Sequence, residues 1–161
     1  MSDESWPVGA WAEPHASSMP DIEPSIMAEL RELRIRQVAV QGSVVASTDG
    51  MIIAHDLAET NAYGVEPETL AALAAANLGL SQRIADTASH GELRATVISG
   101  AFGHVATYAA GDYALLTVLA REEARVDALH VEAHRIAGRV AALVDSAPPE
   151  PAWGTDLQTD R

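Results

Sequence analysis

Apolar positions along residues 25–144 switch between a helical and a strand period. SIMAELRELRIR (25–36) places Ile26, Leu30 and Leu33 at helical spacing. It ends in Arg34 and Arg36, cations suited to the negative end of a helix dipole. VAVQGSVVAS (38–47) reads as a strand, and Asp49-Gly50 separates it from a second strand-like run, MIIAHDL (51–57). Asp-Gly between two β-prone runs predicts a hairpin, because the turn needs positive φ. A loop holding Asn61 and Gly64 leads into PETLAALAAANLGLSQRIADTAS (67–89), a helix opened by Pro67 and Glu68 and expected to end at His90-Gly91.

Three short runs come next, LRATVIS (93–99), HVATYAA (104–110) and YALLTVLA (113–120). Gly100 to Gly103 and Gly111-Asp112 punctuate them, so they read as an antiparallel meander. In EARVDALHVEAHRIAGRVAALV (123–144), Val126, Leu129, Ala133, Ile136, Val140 and Leu143 form one buried helical stripe. The predicted order is α-β-β-α-β-β-β-α. A five-stranded antiparallel sheet with helices on its faces is an α+β three-layer sandwich.

The middle helix carries two apolar stripes. Leu70, Leu73, Ala74, Asn77, Leu80 and Ile84 form one, and Ala71, Ala75 and Leu78 form another about 100° round. A helix apolar on two faces is wholly buried or shared between a sheet and another molecule, and one sheet layer is too small to bury it. Small Ala side chains permit close approach of a second helix, so this face is expected to make a homodimer. The plainer alternative is an exposed surface rich in Ala for its helix propensity. LRATVIS has no Pro to protect an edge, so at the sheet edge it could pair with the same run of a second subunit.

Charge changes the picture less than its size suggests. The chain of 161 residues carries −13, but residues 1–24 hold five acids and no base, and residues 145–161 hold four acids and one Arg. The tails therefore supply −8, leaving −5 between them and no basic stripe of the kind nucleic acid requires. All ten bases are Arg, which a GC-rich genome explains. The absence of Cys excludes disulfides, thiolate metal sites and a cysteine nucleophile. No apolar run approaches a bilayer span and no secretory signal opens the chain, so a soluble cytoplasmic protein without membrane insertion is expected.

Composition also divides the chain. Residues 1–24 hold four Pro and residues 146–161 are Pro-rich, so both are expected to be disordered around one domain at 25–145. Every Trp lies in these tails: Trp6, Trp11 and Trp153. An aromatic in a disordered segment can anchor a partner, though such tails need none.

Catalytic candidates are few. His55 and Asp56 are adjacent on a strand, so their side chains leave opposite faces and cannot act as base and orienter. His130 and His134 share a helix face, but Val131 stands where a metalloprotease motif needs Glu, and a solvated face is the simpler reading. There is no G-x-S-x-G, no G-x-G-x-x-G, and no Lys with which to build a P-loop. Arg121 and Arg125 could reach a partner's phosphate as an arginine finger does, although Glu122, Glu123 and Asp127 offer local ion pairs. No catalytic, cofactor or metal residue is assigned.

GSVVASTDGMIIAHDL, the Ala/Leu-rich helix after it, and the meander ending GDYALLTVLA before a long helix together resemble the roadblock/LC7 family, in particular its short bacterial members related to MglB. The resemblance covers about residues 25–144. It implies a non-enzymatic homodimer that binds and regulates a small Ras-like GTPase, as activator or scaffold. It also implies dimerisation through the second helix and third strand, at Leu70, Leu73, Asn77, Leu78, Leu93, Ala95, Val97 and Ser99. Arg121, Arg125 and the three Trp are candidate partner contacts. The alternative is a small-ligand sensor or general interaction module, since profilin-like and PAS-like domains share such a sheet.

Overall fold

Strand alternation decides which side chains meet which helix layer. In the computed structural model, which describes residues 22–57 and 64–147, the elements run α1 (Ile22–Arg36), β1 (Val40–Ser47), β2 (Ile52–Leu57), α2 (Pro67–Thr87), β3 (Ala95–Gly100), β4 (Gly103–Ala110), β5 (Ala114–Arg121) and α3 (Val126–Asp145). All neighbouring strands pair antiparallel in the order β2-β1-β5-β4-β3. Val45, Ala106, Tyr108, Leu116 and Val118 point to one face, where they bury Ile26, Leu30 and Leu33 of α1 and Leu129, Ala133, Ile136 and Val140 of α3. Their neighbours Val44, Ala46 and Leu115 point to the other face and pack on Ala71 and Ala74 of α2. The result is the expected three-layer α+β sandwich.

Helix α1 begins at Ile22, inside the 1–24 stretch assigned to the tail. Pro24 is tolerated there because first-turn N–H groups have no intrahelical partner, so the donor that proline lacks is not missed. Helices α1 and α3 lie antiparallel and are bridged on their outer side. Arg139 meets Glu29 and Glu32 at 3.2 Å, and Arg135 meets Glu32 at 3.1 Å. Partial burial pushes the Glu32 carboxyl up, but hydrogen bonds from Arg36 and Arg135, with the charge of Arg139, outweigh it and hold the group below its usual range.

The glycine punctuation acts as expected in two turns. Gly50 takes φ +91° in the β1–β2 hairpin, where Ser47 N–H donates to the Met51 carbonyl at 2.8 Å. The Ser47 hydroxyl donates to the Asp49 carboxylate and accepts the Met51 N–H at 3.0 Å. Gly111 takes φ +74° between β4 and β5. The end of α2 differs from expectation. The helix stops at Thr87, and Ser89, not a glycine, takes the left-handed conformation at φ 57°. His90 N–H then donates to the Ala85 carbonyl at 2.9 Å, so the terminal carbonyl is satisfied before Gly91 is reached.

Candidate interaction surface

Helix α2 is the sole described cover of its sheet face, so one side of it must face outward. Ala71 and Ala74 are buried against the sheet, with Leu70, Ala75 and Leu78 packed beside them. Leu73, Leu80 and Ile84 stand on the outer side, 64%, 61% and 61% exposed. Two features of the sequence assignment change. Ala74 belongs with the inward stripe, because a 100° step from Leu73 carries it onto the sheet. Leu78 also turns inward, as part of the protomer's own packing.

Strand β3 borders this side of the molecule. It is an edge strand, exposed from Val97 to Gly100. The side chains of Thr96 and Ile98 share the face of α2, and Ala95, Val97 and Ser99 share the face of Tyr108. Asn77 links helix and strand: its amide donates to the Thr96 hydroxyl at 3.0 Å. Gln82 adds a second link, accepting the Leu93 N–H at 2.9 Å. Ser99 is engaged within the sheet, its hydroxyl 3.0 Å from Nδ1 of His104. An outward apolar helix stripe beside an unpaired strand edge offers side-chain burial and backbone pairing at one place.

Leu80, Ile84 and Ile98 (54% exposed) extend this surface beyond the residues assigned from sequence. Leu80 and Ile84 continue the Leu73 stripe, on which the helical period places them, although the dimer residues implied by the family resemblance leave them out. Two grooves, of about 280 and 420 Å³, lie along the same helix and open to solvent. The first holds Leu70 and Leu73, the second Leu80 and Ile84. Neither is the enclosed pocket a small-ligand sensor would use.

The other candidates separate. Arg125 pairs with Asp127 at 3.7 Å, both groups being exposed. Arg121 reaches the Val38 carbonyl at 3.4 Å rather than Glu122 or Glu123. Trp6, Trp11 and Trp153 lie outside the described residues. Asp56 is bridged to Arg34 of α1 at 2.8 Å, while His55 emerges exposed from the opposite face of β2.

His130 departs from the expected solvated face. Its Nδ1 lies 2.8 Å from the Tyr108 hydroxyl, and the rings of His130 and His134 both meet Tyr108 edge-on. Tyr108 is fully buried, so its hydroxyl needs a partner, and burial pushes its pKa up to about 12. Among the described residues no group of three or more His, Asp or Glu could hold a metal ion, and no helix is long and apolar enough to cross a membrane.

A sequence model of the Roadblock/LC7 domain matches residues 27–120, from α1 to the end of β5. The chain belongs to the Roadblock/LC7 family. An uncharacterised protein of Methanocaldococcus jannaschii, MJ0310, is 29% identical over 104 residues, spanning 65% of this chain and 87% of its own. Solved structures that share the fold include the following two. The gliding protein MglB of Thermus thermophilus superposes with a TM-score of 0.71 at 21% identity, over 79% of this chain and 93% of its own. A Roadblock/LC7 domain from Streptomyces avermitilis superposes with a TM-score of 0.66 at 21% identity, over 74% and 97%. In this roadblock domain the described exposed surface of α2 and β3 is the candidate site.

Proposed function

We propose that this roadblock domain works in the cytoplasm as a homodimer that regulates a small Ras-like GTPase by contact rather than by supplying chemistry. The observation that carries the reading is the outward stripe of Leu73, Leu80 and Ile84 beside the unpaired edge of β3. Family membership supports it, because the resemblance to roadblock proteins implies GTPase regulation by a dimer. The dimer contacts are Leu70, Leu73, Asn77, Leu80 and Ile84 on α2 together with the β3 edge. Leu78 supports them from beneath.

An accelerating effect on hydrolysis would arise by ordering the GTPase's own switch loops, a shift in the population of its active conformation. Arg121 and Arg125 are the exposed cations offered to that partner, and residues 25–145 carry the activity, with the Trp-bearing tails as adjuncts. The test is a titration of the full chain against a Ras-like GTPase from the same genome, loaded with GDP or a non-hydrolysable GTP analogue. Binding that differs between the two states, with or without a faster single turnover, is expected. Absence of binding in both states overturns the GTPase reading.

A further inference from the structure

A row of half-buried and exposed residues along α2 is spaced almost symmetrically about its middle member. Leu70, Leu73, Asn77, Leu80 and Ile84 succeed one another by steps of three, four, three and four, the spacing of a helix–helix seam. Asn77 is its centre. Leu70 and Ile84 each stand seven residues from it, roughly 10 Å along the axis, and Leu73 and Leu80 stand four and three away. Reversing the helix about Asn77 therefore lays Leu70 onto Ile84 and brings Leu73 within one residue of Leu80, with Asn77 onto itself.

The edge strand has its centre at nearly the same place. β3 runs from Ala95 to Gly100, and the Asn77 amide bonds Thr96, within two residues of that strand's midpoint. A two-fold axis normal to the sheet can thus pass beside both Asn77 and the middle of β3. One rotation then pairs α2 with α2 and β3 with β3, each antiparallel, as a closed isologous dimer requires.

Asn77 is the one polar residue of this seam. One of its N–H groups is spent on Thr96, and its carbonyl oxygen takes no hydrogen bond among the described residues. We infer that Asn77 lies on the dimer two-fold axis, bonds its counterpart there, and fixes a single register that selects a second copy of this chain over other roadblock partners. The inference rests on the homodimer reading. Sliding α2 by one turn would bury the Asn77 amide against Leu73 or Leu80 with its oxygen unpaired. An unsatisfied buried polar group is what makes a slipped register, or a partner with an apolar residue there, unfavourable.

The experiment uses charge at position 77 in the full chain. Asn77→Asp and Asn77→Lys each place two like charges across the axis, and the mixture places opposite charges there. At about 5 Å and an effective dielectric near 20, each variant alone is expected to self-associate on the order of a hundredfold more weakly than wild type. Mixing them is expected to restore a dimer containing one of each, read by native mass spectrometry. A wild-type monomer at micromolar concentration overturns the homodimer reading itself. A wild-type dimer with two charged variants that still form tight homodimers, or mix without preference, leaves that reading standing and overturns the axial place of Asn77.

A second variant covers failure of the charged chains to fold. The protein has no Cys, so Asn77→Cys carries one thiol per protomer. Oxidation is expected to convert it to a covalent dimer, while Gly79→Cys, on a different side of α2, stays uncrosslinked. A dimeric Asn77→Cys protein that resists crosslinking overturns the inference.

Discussion

If the proposed homodimer forms through α2, truncating Leu80 to Ala separates dimer contacts from protomer stability. Leu80 is 61% exposed in the protomer, so most of its burial remains to be gained on association. Fully burying a Leu side chain is worth roughly 1.5–3 kcal/mol, and the exposed share here corresponds to about 1 kcal/mol once the remaining Ala methyl is allowed for. A symmetric dimer contains the position twice. Leu80→Ala should therefore weaken dimerisation by about 2 kcal/mol, roughly thirtyfold in Kd. The protomer should unfold at nearly the same denaturant concentration, since that side chain adds little to its packing. Leu78→Ala should do the reverse, destabilising the protomer by ~2 kcal/mol, because Leu78 packs under α2 against the sheet. Sedimentation over a dilution series gives Kd, and urea titration at a concentration that keeps each variant monomeric gives protomer stability. Val131→Ala is the control, since Val131 is 70% exposed on α3, in the helix layer across the sheet. An unchanged Kd for Leu80→Ala, or an equal loss in Val131→Ala, would refute the reasoning.

Gly50→Ala forces a side chain into φ +91° with its Cβ 3.1 Å from the Ala72 Cα, so urea denaturation should show a loss of about 1–2 kcal/mol. The buried hydroxyls of Thr107 and Thr117 satisfy each other at 3.1 Å. Thr117→Val should cost roughly 1–3 kcal/mol by orphaning Thr107, and the double Val variant should recover much of it in the same titration. Tyr108 has its pKa raised from 10.0 to about 12, so its neutral form is favoured by folding. That stability is full below pH 10 and is lost as pH rises to 12, about 3 kcal/mol in all. Alkaline denaturation followed by circular dichroism should show it, and Tyr108→Phe should remove that part of the pH dependence.

Residues whose role is local were legible in the chain. The α3 stripe from Leu129 to Val140 and the α1 trio Ile26, Leu30 and Leu33 are all buried, because a helix turns by a fixed angle per residue. The Asp49-Gly50 hairpin followed from the backbone freedom of one glycine. His130 was misjudged for a different reason. Its partner Tyr108 is 22 residues away on β4, and no local pattern announces that a buried hydroxyl will need an imidazole.

The sequence by itself determined the eight elements, their order and the presence of two apolar faces on α2, since each depends on interactions within a few residues. Only the tertiary structure decided that β5 inserts between β1 and β4, which leaves β3 at an edge. That pairing joins segments about seventy residues apart, and the closure of so long a loop is governed by the competing strands rather than by any local signal. It also decided which face of α2 turns outward. Periodicity gives the angle between two stripes but not their direction. The sheet surface of Val44, Ala46 and Leu115 takes the small side of Ala71 and Ala74, and the larger Leu73, Leu80 and Ile84 are left facing away.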